Sequence, residues 1–280
     1  MDPVVARKTW RTVEPIHTVL YFAPEGTALY EGLGFDPSFH AYFPVRAAAM
    51  GAVPAEVVVS TFFNFCPDLV HAAMDGAWSR VAPADLVAAR LDAFDNLFHR
   101  LLAELADPES LAEMAGLARR AAEEAATRPE GRPLFAGHVS LAWPDEPHLV
   151  LWHAQTLLRE FRGDGHIAAL TAEGLTGLEA LVVHAATGEV PPDMLKITRA
   201  WPEEDWAEAE EGLRSRGWLD GEGALTEAGR AHRQGVEDRT DELSLSAYLP
   251  LGEDGCDRLR ELARPLSKAI VASGEIGLPR

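Results

Sequence analysis

The chain has 280 residues, enough for one large domain or two ordinary ones around a sizeable core. Its 47% hydrophobic and 25% charged residues are those of a soluble globular protein. A formal net charge of −19 opposes non-specific attraction to nucleic acid and to anionic membrane surfaces.

Near the start, Arg7, Lys8, Arg11 and Glu14 stand where a signal peptide would need an unbroken apolar stretch. No apolar run approaches the roughly 20 residues that span a bilayer, so a cytoplasmic protein with no membrane partner is expected. Residues 4–23 read as a helix turned at Pro15, with Trp10, Ile16, Val19 and Leu20 as core. Residues 30–42 are aromatic and broken into turns by Gly32, Gly34 and Pro37. Helical character resumes at 43–50 and stops at Gly51, a natural C-cap. The apolar run 55–65 reads as helix, with a short helix following at 67–78. Residues 83–105 keep Leu86, Phe94, Leu97 and Leu101 in helical phase, and an alanine-rich helix covers 111–126. Cys66 and Cys256, one in each half, do not make a disulfide framework.

Residues 128–133, RPEGRP, are the candidate linker, dividing the chain into halves 1–130 and 131–280. Residues 152–166, WHAQTLLREFRGDGH, then open as an amphipathic helix and crowd Arg159, Glu160, Arg162, Asp164 and His166 together. By the simplest local reading, Gly163 ends that helix and Asp164 caps another. Helices are expected at 176–186, 193–200, 203–216, 226–248 and 253–273. Residues 217–226 alternate turn formers with apolar residues and read as a β-hairpin.

The order helix, short helix, longer helix ending in Leu213-Arg-Ser-Arg-Gly-Trp-Leu, then Asp220-Gly-Glu-Gly-Ala-Leu-Thr, resembles the winged helix-turn-helix of MarR-type regulators. That resemblance covers about residues 175–250; it implies a recognition helix at 203–216 and a wing at 218–226. The whole chain also resembles an actinobacterial family of uncharacterised helix-turn-helix proteins. The residues that carry this likeness are Arg46-Ala-Ala-x-Met-Gly, Leu158-Arg-Glu-x-Arg-Gly-Asp-Gly-His and Thr198-Arg-x-Trp. A weak internal repeat pairs Gly51 and Glu56 with Gly174 and Glu179, and Pro67-Asp-Leu with Pro192-Asp-Met. The expected fold is therefore mostly α, with two tandem winged-helix-like halves. The first is degenerate and the second carries one small β-hairpin wing. Such halves could pack as a monomer with an internal pseudo-dimer, or the chain could form a homodimer.

DNA is an unlikely partner on this reading. The first turns of the recognition helix hold Glu203, Glu204, Asp205, Glu208, Glu210 and Glu211 and no base, whereas a helix in the major groove needs donors and must not repel phosphate. The expected function is instead binding of a small anionic or aromatic molecule between the halves. Its candidate contacts are Arg46, Asn64, Arg159, Arg162, Tyr42 and Trp152. His40, Thr61 and His71 accompany them in the N-terminal half. The alternatives are an enzyme using the same pocket, with Asp164 and His166 as acid and base, or a ligand-responsive transcriptional regulator.

No cofactor is specified by the sequence. No H-E-x-x-H or Cys/His cluster marks a metal site, and His148 and His153 are badly spaced for one helix face. Gly163-Asp-Gly-His-Ile-Ala fits the letters of a dinucleotide fingerprint, but a helix precedes it instead of a strand. Ser60 and Ser140 lack a nucleophile elbow.

Overall fold

A computed structural model describes residues 1–35 and 39–276, apart from the side chains of Phe39 and His40. The turn expected at Pro37 and the His40 side chain thus lie outside the described residues. The first half comprises α1 (Val4–Thr18), α2 (Pro24–Gly32), α3 (Phe39–Ala47), α4 (Ala55–Thr61), α5 (Pro67–Met74), α6 (Ala77–Arg80), α7 (Pro83–Leu101) and α8 (Pro108–Ala125). The remainder comprises α9 (Pro133–Val139), α10 (Pro147–Ala172), α11 (Gly177–Ala185), α12 (Pro192–Arg199), α13 (Glu203–Ser215), α14 (Glu227–Tyr248) and α15 (Gly252–Ser273).

Proline does much of the punctuation. Pro24, Pro67, Pro83, Pro108, Pro133, Pro147 and Pro192 all stand in the first turn of a helix. There the missing N–H is no loss and the fixed φ suits the helix. The N-terminus of α11 is set by a capping box. Thr176 Oγ1 accepts from the Glu179 backbone at 3.2 Å, and Glu179 returns the bond at 2.8 Å.

The helix α10 runs unbroken through Gly163 and Gly165, which corrects the expected helix break and cap at that point. It is buried along most of its 26 residues, with α1, α7, α8, α9 and α14 packed around it. Such a helix can keep two interior glycines because tertiary packing outweighs their propensity cost of about 1 kcal/mol each. Gly165 also has a positive use. A Cβ there would stand 2.7 Å from Arg132 Nη1, and Arg132 donates to the Phe161 carbonyl beside it and to the Leu243 carbonyl at 3.0 Å. Further toward the helix start, Trp152 lies stacked between His17 and Phe94, at centroid separations of 5.9 and 4.9 Å.

The apolar side chains form two clusters. One joins buried residues between Ala6 and Phe161 to those between Ala247 and Ile270; the other runs from Ala169 to Val236. The second gathers α11, α12 and α13, including Leu195, Trp206 and Leu213, between the end of α10, the 218–225 turn and Val236 of α14.

The expected β-hairpin wing is absent. Among the described residues there is no strand, only an isolated antiparallel bridge between Leu219 and Leu225. The reason is local. Asp220 Oδ1 accepts from Glu222 and Ala224 backbone N–H groups, both at 2.9 Å, so a side chain takes amides that a ladder would use. Thr226 then caps α14, accepting from Gly229 N–H at 3.0 Å. Trp218, Leu219 and Leu225 are buried in the second core, so the segment is a turn pinned to the body. The two tandem winged-helix-like halves with one wing are thereby corrected to an all-helical chain over the described residues. The mostly α expectation holds.

Two glycines separate packing from propensity. At Gly177 a Cβ would fall 1.8 Å from the Phe63 carbonyl oxygen, whereas Gly116, exposed inside α8, has open space. Gly177→Ala should therefore lower unfolding free energy by about 1–3 kcal/mol through forced displacement of backbone. Gly116→Ala should be neutral or add up to about 1 kcal/mol. Urea unfolding of both variants checks the contrast; equal effects would mean that α11 does not abut the Phe63 carbonyl.

Candidate functional site

At the seam between the two cores lies a cavity of about 360 Å³, within the range of small-molecule sites. Its walls come from α3, the 62–65 loop, the second half of α10, α11, the last residue of α12, and α14. Phe62, Phe63, Phe65, Ile167, Leu170 and Leu181 make one side apolar. Arg46, Arg159, Arg199, Arg233, Glu160 and Asp164, with His166, His184 and Tyr42, supply the charged and titratable groups. The 62–66 loop is fastened to the end of α12 and the turn that follows it. Cys66 N–H donates to the Arg199 carbonyl at 3.0 Å, and the Trp201 indole donates to the Asn64 carbonyl at 3.0 Å.

Glu160, 3% exposed, organises the polar wall. Its Oε1 accepts from Arg46 Nη2 at 2.6 Å and from Arg159 Nη1 at 3.0 Å. Burial works to raise its pKa, but the two guanidiniums outweigh it and hold the carboxyl down at about 2. Arg46 also donates to the Tyr42 hydroxyl, and Arg159 to Glu14 Oε1 at 3.0 Å. Arg199 differs from both. Among the described residues it has no carboxylate partner. Its Nη1 donates only to Thr198 Oγ1 at 2.9 Å, its buried Nε has no partner, and its guanidinium lies over the Phe65 ring at 4.5 Å. Burial lowers its pKa, and the positive charges of Arg46 and Arg159 add to the effect.

Asp164 and His166 share the cavity wall but not a bond. Asp164 Oδ2 accepts from Phe135 N–H at 3.0 Å, at the start of α9. Burial pushes its pKa up to about 7 despite that bond. His166 Nδ1 lies 2.9 Å from Thr240 Oγ1, whose own proton goes to the Val236 carbonyl at 2.7 Å. The imidazole must then be the donor, which leaves Nε2 unprotonated. Burial also lowers the His166 pKa to about 4, so the ring is neutral near pH 7.

Of the residues expected to bind a ligand, Tyr42, Arg46, Asn64 and Arg159 line this cavity, together with Asp164 and His166. Trp152 and Arg162 do not. Trp152 is core, as its stacking shows. Arg162 faces α14 and α1, donating to Asp241 Oδ1 at 2.8 Å, with Glu237 at 3.4 Å and its guanidinium 4.7 Å above Trp10. Arg7 forms an ion pair with the same Asp241 at 2.7 Å, so this cluster clamps three helices together. The Asn64 backbone carbonyl accepts from the Trp201 indole. Arg199, Arg233 and His184 were missed from the sequence. The Thr198-Arg-x-Trp stretch held the signal, but Arg199 there reads as a potential DNA contact.

The exposed face of α13 is acidic. On α13, Trp206 and Leu213 face inward while Glu203, Glu204, Glu208 and Glu211 are exposed. Nearby bases are already engaged. Lys196 meets Glu203 at 2.7 Å, Arg214 meets Glu210 at 2.7 Å, and Arg216 meets Glu179 at 2.9 Å. Among the described residues no single helix is long and apolar enough to cross a membrane.

The Asp164 carboxyl carries a pH signature. Held at about 7 against an ordinary 3.8, it binds its proton more tightly in the folded state. Its favourable contribution is full below pH 3.8 and is lost as pH rises to 7 and above. Asp164→Asn should thus gain stability relative to the parent between pH 4 and pH 8, by at most on the order of 4 kcal/mol. A stability difference independent of pH in denaturant titrations would show that burial does not hold up this carboxyl.

Neither a curated protein nor a solved structure matches the chain. One family model does, over residues 6–277, and it describes a helix-turn-helix family. The match spans nearly the whole sequence, so both the cavity and the acidic helix pair fall inside it. The chain belongs to this helix-turn-helix family.

Proposed function

We propose that the chain binds a small organic carboxylate with an apolar or aromatic body in the cavity between its two cores. The observation that carries this is Arg199, a guanidinium on the cavity wall with no carboxylate partner among the described residues, in the field of Arg46 and Arg159. A planar carboxylate matches the guanidinium fork, relieves the mutual repulsion of three cations, and satisfies the unpaired Nε. The Phe62, Phe63 and Leu181 side of the cavity takes the apolar body. Asp164, part-protonated near neutrality, adds little repulsion.

The halves 1–130 and 131–280 act in this reading as an internal pseudo-dimer, with the MarR-type likeness confined to the helix order of α11–α13. The support is that α5 and α12 are both eight-residue helices opened by proline. Each is followed closely by a left-handed residue, Gly76 at φ 65° and Ala200 at φ 57°.

Family membership favours a second reading, a DNA-binding regulator that responds to the ligand. Arg199 closes α12, the first helix of the α12–α13 pair, so a ligand on it would act on their turn. The exposed glutamates of α13 weigh against groove insertion by that helix.

A thermal-shift panel of aromatic and aliphatic carboxylates, each beside its neutral amide, tests the binding. At a hundredfold excess over Kd a carboxylate should add about 2.7 kcal/mol, a rise in Tm of roughly 5 °C. Arg199→Ala should abolish that rise while the unliganded protein melts near the parent temperature. Equal stabilisation by amide and acid, or an undiminished response in Arg199→Ala, would overturn it. The regulator reading requires retardation of the gene's own upstream DNA at low salt, with affinity falling as salt rises. A ligand that binds while no DNA is retarded separates the two.

A further inference from the structure

Three potential metal ligands converge at the start of α10, sharing no residue with the cavity wall. Asp95 and His99 stand one turn apart on α7, a spacing that places both on one helix face. His148 comes from the first turn of α10. Its Nε2 is 2.6 Å from Asp95 Oδ1, and His99 Nε2 is 3.5 Å from the same oxygen. One ligand atom from each of the three residues lies within 4.8 Å of those of the other two.

We propose that Asp95, His99 and His148 bind a zinc ion. Tetrahedral zinc, at about 2.0–2.1 Å from each nitrogen or oxygen, sets its ligand atoms roughly 3.3 Å apart. The observed separations bracket that value, and rotation of His99, whose side chain is 63% exposed, closes the remainder. Two imidazoles and one carboxylate suit zinc better than magnesium or calcium, which take oxygen ligands. Three protein ligands leave a fourth position for water, and the exposed side provides the entry path. His148 supplies the rigid part of the site. It is buried, and its ring is stacked on Phe98 with centroids 4.5 Å apart, so it needs little further ordering on binding. Sequence spacing could not reveal the site, because Asp95 and His148 are 53 residues apart. The bound ion would tie the end of α7 to the start of α10, at the other end of that helix from its cavity-lining residues.

The test is zinc titration of the dialysed full-length protein against a chromophoric chelator, with cobalt(II) as a visible reporter of four-coordination. One zinc per chain is expected. Loss of even an outer-shell partner costs roughly 10–100-fold in metal affinity, so His99→Ala and Asp95→Asn should each weaken binding by about a hundredfold. Both positions are partly exposed, and unchanged far-UV circular dichroism would show that the variants fold. His232→Ala, removing an exposed histidine paired with Glu173 elsewhere, should bind as the parent does. Absence of stoichiometric binding in the parent, or binding unaffected by His99→Ala and Asp95→Asn, would overturn the assignment.

Discussion

The carboxylate of Glu160 is the constraint on which the polar half of the molecule depends. It sits on a helix enclosed on almost every side, where an ionised group without partners would be expelled by several kcal/mol of desolvation. Arg46 and Arg159 make it tolerable, and each is fixed in return: Arg46 by Tyr42 on α3, Arg159 by Glu14 on α1. Removing the carboxylate would leave the buried Arg46 and the half-buried Arg159 without the charge between them, a worse state than the ion pairs they now form. The arrangement therefore locks α1, α3 and α10 together through charge. It also consumes most of the hydrogen-bonding capacity of Arg46 and Arg159; of the other two arginines on the cavity wall, Arg233 pairs with Glu237, and Arg199 is left without a carboxylate partner among the described residues.

That division of labour reconciles an acidic surface with an interior seam rich in guanidiniums. The net charge of −19 resides largely on exposed helix faces such as that of α13, whereas the interior seam gathers guanidiniums. Surface carboxylates are screened within about 10 Å at ordinary salt, so they do little to oppose an anion already inside. They do oppose phosphate at the outer face of α13. The same chain thus has opposite preferences at two places, and on the ligand-binding reading the inner one decides its partner.

Much of the fold was legible because helix starts and stops are local chemistry. Proline at the first turn and the Thr176/Glu179 capping box fix boundaries within a few residues, whatever the rest of the chain does. Errors arose where tertiary contact overrides a local signal. Gly163-Asp-Gly reads as a break, yet Gly165 is there to admit Arg132. The alternation in 217–226 reads as a hairpin, yet Asp220 closes its own turn first. Arg159 and Arg162 are three apart and share a rough face, but α14 presents Asp241 to one while α1 and α3 surround the other. Helical spacing cannot say which neighbour stands where. The convergence of Arg46 with Glu160, 114 residues apart, has no signature in either segment alone.

The turn after α12 shows how an unpaired cation can be held without a counter-charge. Ala200 has φ 57° and ψ 32°, the one non-glycine residue with positive φ among the described residues. An alanine in that region carries about 1–2 kcal/mol that glycine would not. The surroundings impose it, since Cys66 bonds the carbonyl of Arg199 on one side and Trp201 bonds that of Asn64 on the other. Glycine would relieve the strain but would also free the turn to adopt other conformations. Alanine restricts those alternatives, so the Arg199 backbone is oriented by main-chain geometry and the 62–66 loop. A group positioned in this way needs no reorganisation when an anion arrives, which is what makes a preorganised donor effective. The strained residue also opens the short connection between α12 and α13. Any ligand that draws on Arg199 therefore acts next to the turn that joins α12 to α13.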